Sequence, residues 1–306
     1  MMPDLSVGIG GLLLQNPVMP ASGTFGTGLE TLIDFHRLGA LIPKSVTKRP
    51  RKGNRNPRVC EAESGMINSI GIQSKGVDDF AAHELPELAK YHVPIIVSLS
   101  GETIDEFAEL AAQLTDNAAV SAFELNISCP NLRNNGVAFG MDKEATYRLI
   151  KRTRRVTGKP IIAKLTPNVT RIQDIAVAAE RAGADALTVA NTFLAMAIDT
   201  ETRKPKLGNV MGGLSGPAVK PLIVRLVFQV HRTTRLPIIA SGGIASGQDA
   251  VEMMLAGASA VQIGTANFIE PEAMLRVIDE ITAYMVSHHV ERTDQLIGNI
   301  NLESGE

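Results

Sequence analysis

Short runs of apolar residues recur along this chain, and each run gives way to a polar segment. Eight such runs lie near residues 17–21, 41–46, 94–97, 122–127, 160–163, 186–191, 237–240 and 260–264. Apolar and polar residues do not alternate within them, which is typical of strands buried on both faces of a parallel sheet. Amphipathic stretches with helical spacing fill most of the intervals, at 103–115, 143–157, 171–182, 218–233, 246–256 and 271–287.

The repeated alternation of strands and helices predicts an α/β fold, a single (β/α)8 barrel of the TIM type, rather than an open doubly wound sheet. An open sheet would be expected to carry a glycine-rich dinucleotide fingerprint, and neither that motif nor a Walker A motif occurs in the sequence. Residues 5–14 alternate around Gly10 and Gly11, which predicts an N-terminal β-hairpin that could plug the bottom of the barrel. We expect one domain over residues 1–306, since such barrels routinely reach about 250 residues.

Composition narrows the classes of function. The chain has a formal net charge of -2 and few aromatic residues, so it lacks the basic footprint and the stacking platforms of a nucleic-acid-binding protein. No apolar run approaches the ~18 residues of a membrane-spanning helix, and the first residues do not resemble a signal peptide. Two cysteines are too few for a secreted disulfide scaffold. We therefore expect a cytoplasmic protein with no nucleic-acid and no membrane partner.

The candidate chemistry lies at the carboxyl ends of the predicted strands, where barrels of this kind place their active sites. Amides, hydroxyls, two lysines and one thiol dominate there, whereas carboxylates and histidines are nearly absent. This set disfavours a metal-dependent hydrolase and a glycosidase, and it suits a planar ring rich in amide groups. The positions are Ser22, Lys44, Ser45, Asn68, Ser98, Asn126, Cys129, Lys164, Asn191, Thr192, Gly242, Gly243, Gly264 and Thr265.

Two of these features are more specific than the rest. Glycines end the seventh and eighth predicted strands, at 242–243 and 264, where barrels bind phosphate, so a phosphorylated cofactor fits the sequence. Cys129 lies between polar residues just after the fourth strand and before a segment rich in Asn and Gly. A catalytic thiol and an inert buried thiol both remain open for Cys129, whereas Cys60 has only the structural interpretation.

Eight segments of the chain form a recognisable series, and each lies at its expected strand end. They are 16–26, 44–47, 68–73, 126–131 (Asn-Ile-Ser-Cys-Pro-Asn), 190–192, 212–217, 241–244 and 264–265. Taken in order, these segments resemble the dihydroorotate dehydrogenase family, and within it the catalytic subunits of class 1B. The resemblance covers essentially the whole chain and implies an FMN-containing TIM barrel that oxidises dihydroorotate to orotate in pyrimidine (UMP) biosynthesis.

The resemblance also implies a role for each site residue. Cys129 would be the general base that removes the C5 proton while hydride passes from C6 to the flavin. The positions that correspond to FMN contacts are Ser22, Lys44, Ser45, Ser98, Asn126, Lys164, Ala190, Gly216, Gly242, Gly243, Gly264 and Thr265. Substrate contacts correspond to Lys44, Asn68, Ser69, Ile70, Gly71, Ile72, Asn126, Asn131, Asn191 and Thr192. Ser98 and Ala190 depart from the usual pattern, in which an asparagine and a larger apolar residue are common.

The segment after the cysteine, 132–140, resembles class 1B rather than the fumarate-using class 1A. Class 1B implies a partner subunit that carries FAD and a 2Fe–2S cluster and passes electrons to NAD, with a homodimer of this chain inside a heterotetramer. A self-sufficient enzyme that reduces fumarate or a quinone is the near alternative. A Schiff-base lyase acting through Lys164 and a barrel without catalytic activity are the more distant ones.

Overall fold

The computed structural model describes residues 2–26, 28–29, 31–128 and 138–302. Within these ranges the strands are β1 (Val7–Ile9), β2 (Leu12–Leu14), β3 (Val18–Pro20), β4 (Val59–Ala62), β5 (Gly65–Asn68), β6 (Ile95–Leu99), β7 (Val120–Asn126), β8 (Ile161–Lys164), β9 (Ala186–Val189), β10 (Phe193–Met196), β11 (Ile198–Asp199), β12 (Lys204–Pro205), β13 (Met211–Ser215), β14 (Ile238–Ser241) and β15 (Ala260–Ile263).

The α-helices of the same residues are α1 (Val77–Asp79), α2 (Leu85–Ala89), α3 (Ile104–Thr115), α4 (Lys143–Arg154), α5 (Ile172–Ala182), α6 (Lys220–His231), α7 (Gly247–Leu255), α8 (Ala266–Ile269) and α9 (Ala273–Ser287). A π-helical turn (Phe80–Glu84) joins α1 to α2. Short 3-10 turns occur at Phe35–Arg37, Phe139–Met141, Pro217–Val219 and Thr293–Gln295. The six helices predicted from periodicity are confirmed as α3 to α7 and α9, with ends displaced by at most three residues.

Seven parallel strands form one curled sheet in the order β3, β15, β14, β9, β8, β7, β6. The segment 41–46 closes the ring between β6 and β3. On one side it makes isolated parallel bridges to β6, where the Val46 N–H donates to Ser98 O at 2.8 Å. On the other side the nearby Gly39 N–H donates to Val18 O of β3 at 2.8 Å. The parallel barrel predicted from sequence is thus confirmed, although 41–46 is not a regular strand. Pro43 has no N–H to donate, which interrupts the ladder in the middle of the segment.

The inward side chains of the barrel change from apolar to polar along the strands. At the amino-terminal end they are small or aliphatic and form one buried cluster, whose members include Ile42, Ile96, Ala122, Ile162, Ala186, Ile239 and Ala260. Val7, Ile9 and Leu14 of the N-terminal hairpin belong to the same cluster. The hairpin, which pairs β1 with β2, therefore fills the bottom of the barrel as predicted. The outward side chains of the strands pack against the helices in a separate, larger cluster.

A second sheet was not predicted. Four antiparallel strands lie in the order β10, β13, β5, β4, and β13 pairs with β5 through Gly213 opposite Asn68. Strand β13 contains Gly212 and Gly213, which lower its intrinsic strand propensity. Its partner β5 lies far away in the sequence, so no local pattern reveals the pairing. Of the helices in the described part of the chain, none is both long and apolar enough to cross a membrane.

The hairpin offers a test of the plugged barrel. Ile9 is fully buried, whereas Leu13 on the same hairpin is 76% exposed. We expect Ile9→Ala to lower the free energy of unfolding by about 2 to 5 kcal/mol, because it leaves a cavity in the closed end of the barrel. Leu13→Ala is the matched control, with an expected change within about 0.5 kcal/mol. Equal losses for the two variants in urea unfolding would contradict the plug.

Candidate active site

A cavity of about 1830 Å³ opens at the carboxyl ends of the barrel strands. Most of the residues singled out from the sequence line it, although they come from widely separated parts of the chain. Those lining residues are Ser22, Lys44, Ser45, Asn68, Ser69, Ile70, Gly71, Ile72, Asn126, Lys164, Ala190, Asn191, Thr192, Gly216, Gly242, Gly243, Gly264 and Thr265. Cys129 and Asn131 lie outside the described residues, and their neighbour Ser128 lines the cavity.

Ser98 does not line the cavity. It is fully buried on β6, one layer below the surface of the site, and its hydroxyl lies 2.9 Å from that of Ser45. The strand alternation explains this position, because Ser98 points into the barrel and Ser45 lies between it and the cavity. We therefore place Ser98 as a support for Ser45.

A chain of hydrogen bonds joins the polar residues of the floor. The hydroxyl of Ser22 lies 3.3 Å from that of Ser45, and Asn126 Nδ2 donates to Ser45 Oγ at 3.2 Å. Asn191 Nδ2 in turn donates to Asn126 Oδ1 at 3.2 Å, and Asn191 Oδ1 accepts from the Thr192 N–H at 2.9 Å. These bonds fix which edge of each amide faces the cavity, so the floor presents defined donors and acceptors.

The side chain of Lys44 packs directly against Gly23. Gly23 has φ +83, and a Cβ added there would stand 2.7 Å from Lys44 Cδ and 2.8 Å from Lys44 Nζ. Only glycine therefore allows both the turn after β3 and the close passage of the lysine side chain. This packing directs a positive charge along the wall of the cavity.

The antiparallel sheet forms one wall of the cavity. The sequence predicted that residues 68–72 belong to the site, but it did not predict the sheet that carries Asn68. Asn68 of β5 donates from Nδ2 to Gly213 O at 3.4 Å, and a Cβ at Gly213 would overlap Thr192 Oγ1. Asn168, which the sequence did not single out, donates from Nδ2 to Thr192 O at 3.1 Å. Asn168 lies in a loop, four residues after the end of β8. Because the candidate residues were predicted at strand ends, Asn168 was not among them.

The loop after β14 also lines the cavity. Gly243 has φ +77, and a Cβ there would stand 2.6 Å from Lys220 Cα. Asp249 anchors the loop by accepting from the N–H groups of Ala245 at 3.0 Å and Ser246 at 2.9 Å, and from Lys220 Nζ at 2.7 Å. Burial opposes the charged form of Asp249, but these hydrogen bonds outweigh it and hold the pKa of the carboxyl below its usual range. The hydrogen bond from Lys220 to Asp249 raises the pKa of Lys220, and a second hydrogen bond to Glu252 raises it further.

Sequence reasoning missed a buried polar group beneath the floor. Lys164 Nζ donates to Gln262 Oε1 at 2.9 Å and lies 3.5 Å from Glu124 Oε1. Thr188 Oγ1 and Gln262 Nε2 both donate to Glu124 Oε2, at 2.8 and 2.6 Å. A glutamate and a glutamine at inward positions of otherwise apolar strands were the signal that could have found this group. Within the described ranges, no group of three or more His, Cys, Asp or Glu side chains is arranged to hold a metal ion.

A closed parallel barrel with a polar cavity at its carboxyl ends, lined by lysines, paired amides and glycine loops, is the architecture of a (β/α)8-barrel enzyme. The sequence model for dihydroorotate dehydrogenase matches residues 4–285. The chain belongs to the dihydroorotate dehydrogenase family.

Similar proteins match over nearly their full length. Those from Geobacter metallireducens and Thermoanaerobacter pseudethanolicus are 47% identical over 302 residues, which is 98% of this chain and 99% and 100% of theirs. The one from Pelobacter propionicus is 46% identical over 300 residues, 97% of this chain and 99% of its own. Each is named dihydroorotate dehydrogenase B (NAD(+)), catalytic subunit.

The anchored loop after β14 predicts a pH effect on stability. At neutral pH we expect Asp249→Asn to lower the free energy of unfolding by about 1 to 2 kcal/mol, because the variant loses charge-assisted hydrogen bonds. The folded pKa of Asp249 is lowered, so this contribution is complete above the unfolded pKa of about 3.9 and is lost as pH falls through the folded pKa.

The measurement is urea unfolding of both proteins at several pH values. The difference between wild type and Asp249→Asn should shrink below about pH 4. Asp279→Asn is the control, since Asp279 forms an exposed ion pair with Arg37 and should contribute less than about 1 kcal/mol. A difference for Asp249→Asn that stays constant with pH would contradict the role given to the carboxylate.

Proposed function

We propose that this chain oxidises dihydroorotate to orotate in pyrimidine biosynthesis, as the catalytic subunit of an NAD-linked enzyme. The observation that carries the proposal is the cavity: of the expected site residues that the structure describes, all but Ser98 line it. The near full-length similarity to proteins named as such catalytic subunits supports it. The activity and the low cysteine content also support a cytoplasmic location.

The donor set of the cavity fits FMN. Glycine loops at Gly242, Gly243 and Gly264 leave backbone atoms unobstructed, as a phosphate requires. At the other end, Lys164 and the amide of Asn126 supply donors for the polar edge of an isoalloxazine ring. The remaining residues that would hold FMN are Ser22, Lys44, Ser45, Ala190, Gly216 and Thr265. When bound, FMN would supply the hydride acceptor of the reaction.

The amide and lysine residues suit the chemistry of dihydroorotate. The substrate carries a carboxylate and two ring amide groups, so Lys44 pairs with the carboxylate while Asn126, Asn191 and Thr192 complement the amides. The segment 68–72 covers the substrate from the side of the antiparallel sheet, and Asn131 is a further contact by resemblance. Since the floor amides are already held by one another, they need little reordering when substrate binds.

Cys129 acts as the general base that takes the C5 proton. A thiol is effective in this role only if it is close to its thiolate form at the working pH, which nearby donors promote. The preceding residue, Ser128, lines the cavity and donates from Oγ to Lys164 O at 3.1 Å, which supports placing the base here.

Electron transfer to NAD requires a second subunit. The sequence contains no dinucleotide motif and no paired cysteines for a cluster, so FAD and a 2Fe–2S centre would belong to that partner. The words "catalytic subunit" in the names of the relatives support such a partner. We propose a homodimer of this chain within a heterotetramer.

The first test is an anaerobic visible spectrum of the purified chain before and after dihydroorotate is added. We expect a flavin spectrum that bleaches upon addition, because the substrate reduces bound FMN. The isolated chain should not reduce NAD, and it should reduce fumarate no faster than a free-flavin control. Absence of flavin after incubation with FMN would overturn the proposed function. Rapid turnover with fumarate would instead favour the self-sufficient form of the enzyme.

The second test concerns the base. Cys129→Ser should bind FMN and orotate as the wild type does, yet its flavin should be reduced at least about 100-fold more slowly at neutral pH, since general base catalysis contributes about 10²–10⁴-fold. The slow reduction should accelerate as pH rises, because a serine hydroxyl is a much weaker acid than a thiol and the fraction deprotonated to an effective base grows with pH. Cys60→Ser is the matched control and should reduce at the wild-type rate. Normal reduction kinetics in Cys129→Ser would remove Cys129 from the mechanism.

A further inference from the structure

Glu124 is a carboxylate buried in the middle of the barrel. It points inward from β7, one layer above the apolar cluster, and none of its surface is exposed. A charge in such a place is strongly unfavourable unless it is paired and its remaining acceptor sites are filled. A charged residue that a neutral one could replace is therefore expected to have a purpose other than stability.

Its partners come from three other strands. Oε2 accepts from Thr188 Oγ1 of β9 and Gln262 Nε2 of β15, at 2.8 and 2.6 Å. Oε1 lies 3.5 Å from Lys164 Nζ of β8, and Gln262 Oε1 accepts from the same Nζ at 2.9 Å. We call these four residues the barrel polar cluster. Gln262 bonds to both ions, so it fixes the ammonium relative to the carboxylate.

Lys164 is the member of the barrel polar cluster that lines the cavity; Glu124, Thr188 and Gln262 do not. Glu124 can therefore act on a ligand only without touching it, by holding Lys164 in place and through the field of its own charge. The carboxylate lies behind the ammonium, at a depth where water does not screen the pair. The cavity consequently faces a largely neutralised ion pair rather than an isolated positive charge.

We propose that Glu124 is a positioning residue that, with Gln262 and Thr188, holds the Lys164 ammonium at the floor of the cavity and sets the reduction potential of the bound flavin. An uncompensated ammonium would strongly stabilise the negative charge that develops on a reduced flavin. The carboxylate behind it offsets part of that stabilisation. The potential stays low enough for electrons to be passed on to the next acceptor. This inference rests on the proposed function for its second half only.

The first half is tested without a cofactor by a double-mutant cycle on the full chain. Glu124→Gln and Lys164→Met should each lower the Tm, because each leaves one buried charge unpaired. The double variant should lose clearly less than the sum of the two losses. The exposed pair Lys48 and Glu109 provides the control, since Lys48→Met and Glu109→Gln should be additive.

Each result of this cycle decides the pairing. Additive losses for Glu124 and Lys164 would overturn it. If Glu124→Gln alone does not yield folded protein, recovery of folded protein in the double variant supports the pair. Failure of the double variant while Lys164→Met folds contradicts it.

The second half is tested by the midpoint potential of bound FMN, measured by anaerobic titration against a reference dye. Glu124→Gln keeps the shape of the side chain but removes its charge. We expect its potential to rise by an amount equivalent to a tenfold or greater preference for reduced FMN, about 30 mV for a two-electron couple. Glu124→Asp retains the charge and should stay near the wild-type potential even if the protein is less stable. Glu109→Gln should have no effect.

An unchanged potential in Glu124→Gln, or an equal rise in Glu124→Asp, would overturn the role of the charge. These failures are distinct from failure of the proposed function. A wild-type chain that binds no FMN removes the proposed function and the tuning of potential, whereas the double-mutant cycle would still decide the Glu124–Lys164 pairing.

Discussion

The inside of a closed parallel barrel has to be filled with side chains, and each polar one among them has to find a partner there. At the lower end this protein meets the requirement with small and aliphatic residues, together with the N-terminal hairpin. Higher up, the inward positions become polar, and because these side chains are buried, their partners come from other strands. These hydrogen bonds form only when the strands have one particular arrangement. The floor of the cavity lies directly above this polar half of the barrel.

The site depends on departures from regular barrel geometry. Pro43 interrupts the ladder between Leu41 and Val46, and Lys44 and Ser45 then turn toward the cavity from an irregular segment. Gly23 leaves the space through which Lys44 passes. The antiparallel sheet adds a wall that the barrel strands by themselves would lack. Rigid strands thus supply the floor, while insertions and irregular segments supply the surfaces that shape it.

Lys164 links the cavity to the buried core of the barrel. Its ammonium belongs to the cavity, but the atoms that hold it belong to the core of the barrel. A buried ion pair is weak evidence for stability, because desolvation of both charges offsets most of their attraction. Such a pair can nevertheless fix the position of a charge and moderate its effect on a ligand. Because the barrel polar cluster is part of the barrel interior, the fold itself sets the distribution of charge at the floor of the cavity.

Periodicity alone determined the order of the barrel strands and of the six longer helices, because strands buried on both faces and amphipathic helices each impose a pattern on neighbouring residues. It also located Ser45, Asn126, Lys164 and Asn191 at strand ends, which a parallel barrel necessarily gathers at one edge. Tertiary structure decided what local pattern cannot encode. The pairing of β5 with β13, the burial of Ser98 under Ser45 and the meeting of Glu124 with Gln262 all join residues distant in sequence. Such contacts exist only once the barrel has closed, since closure brings the inward positions of different strands within hydrogen-bond distance.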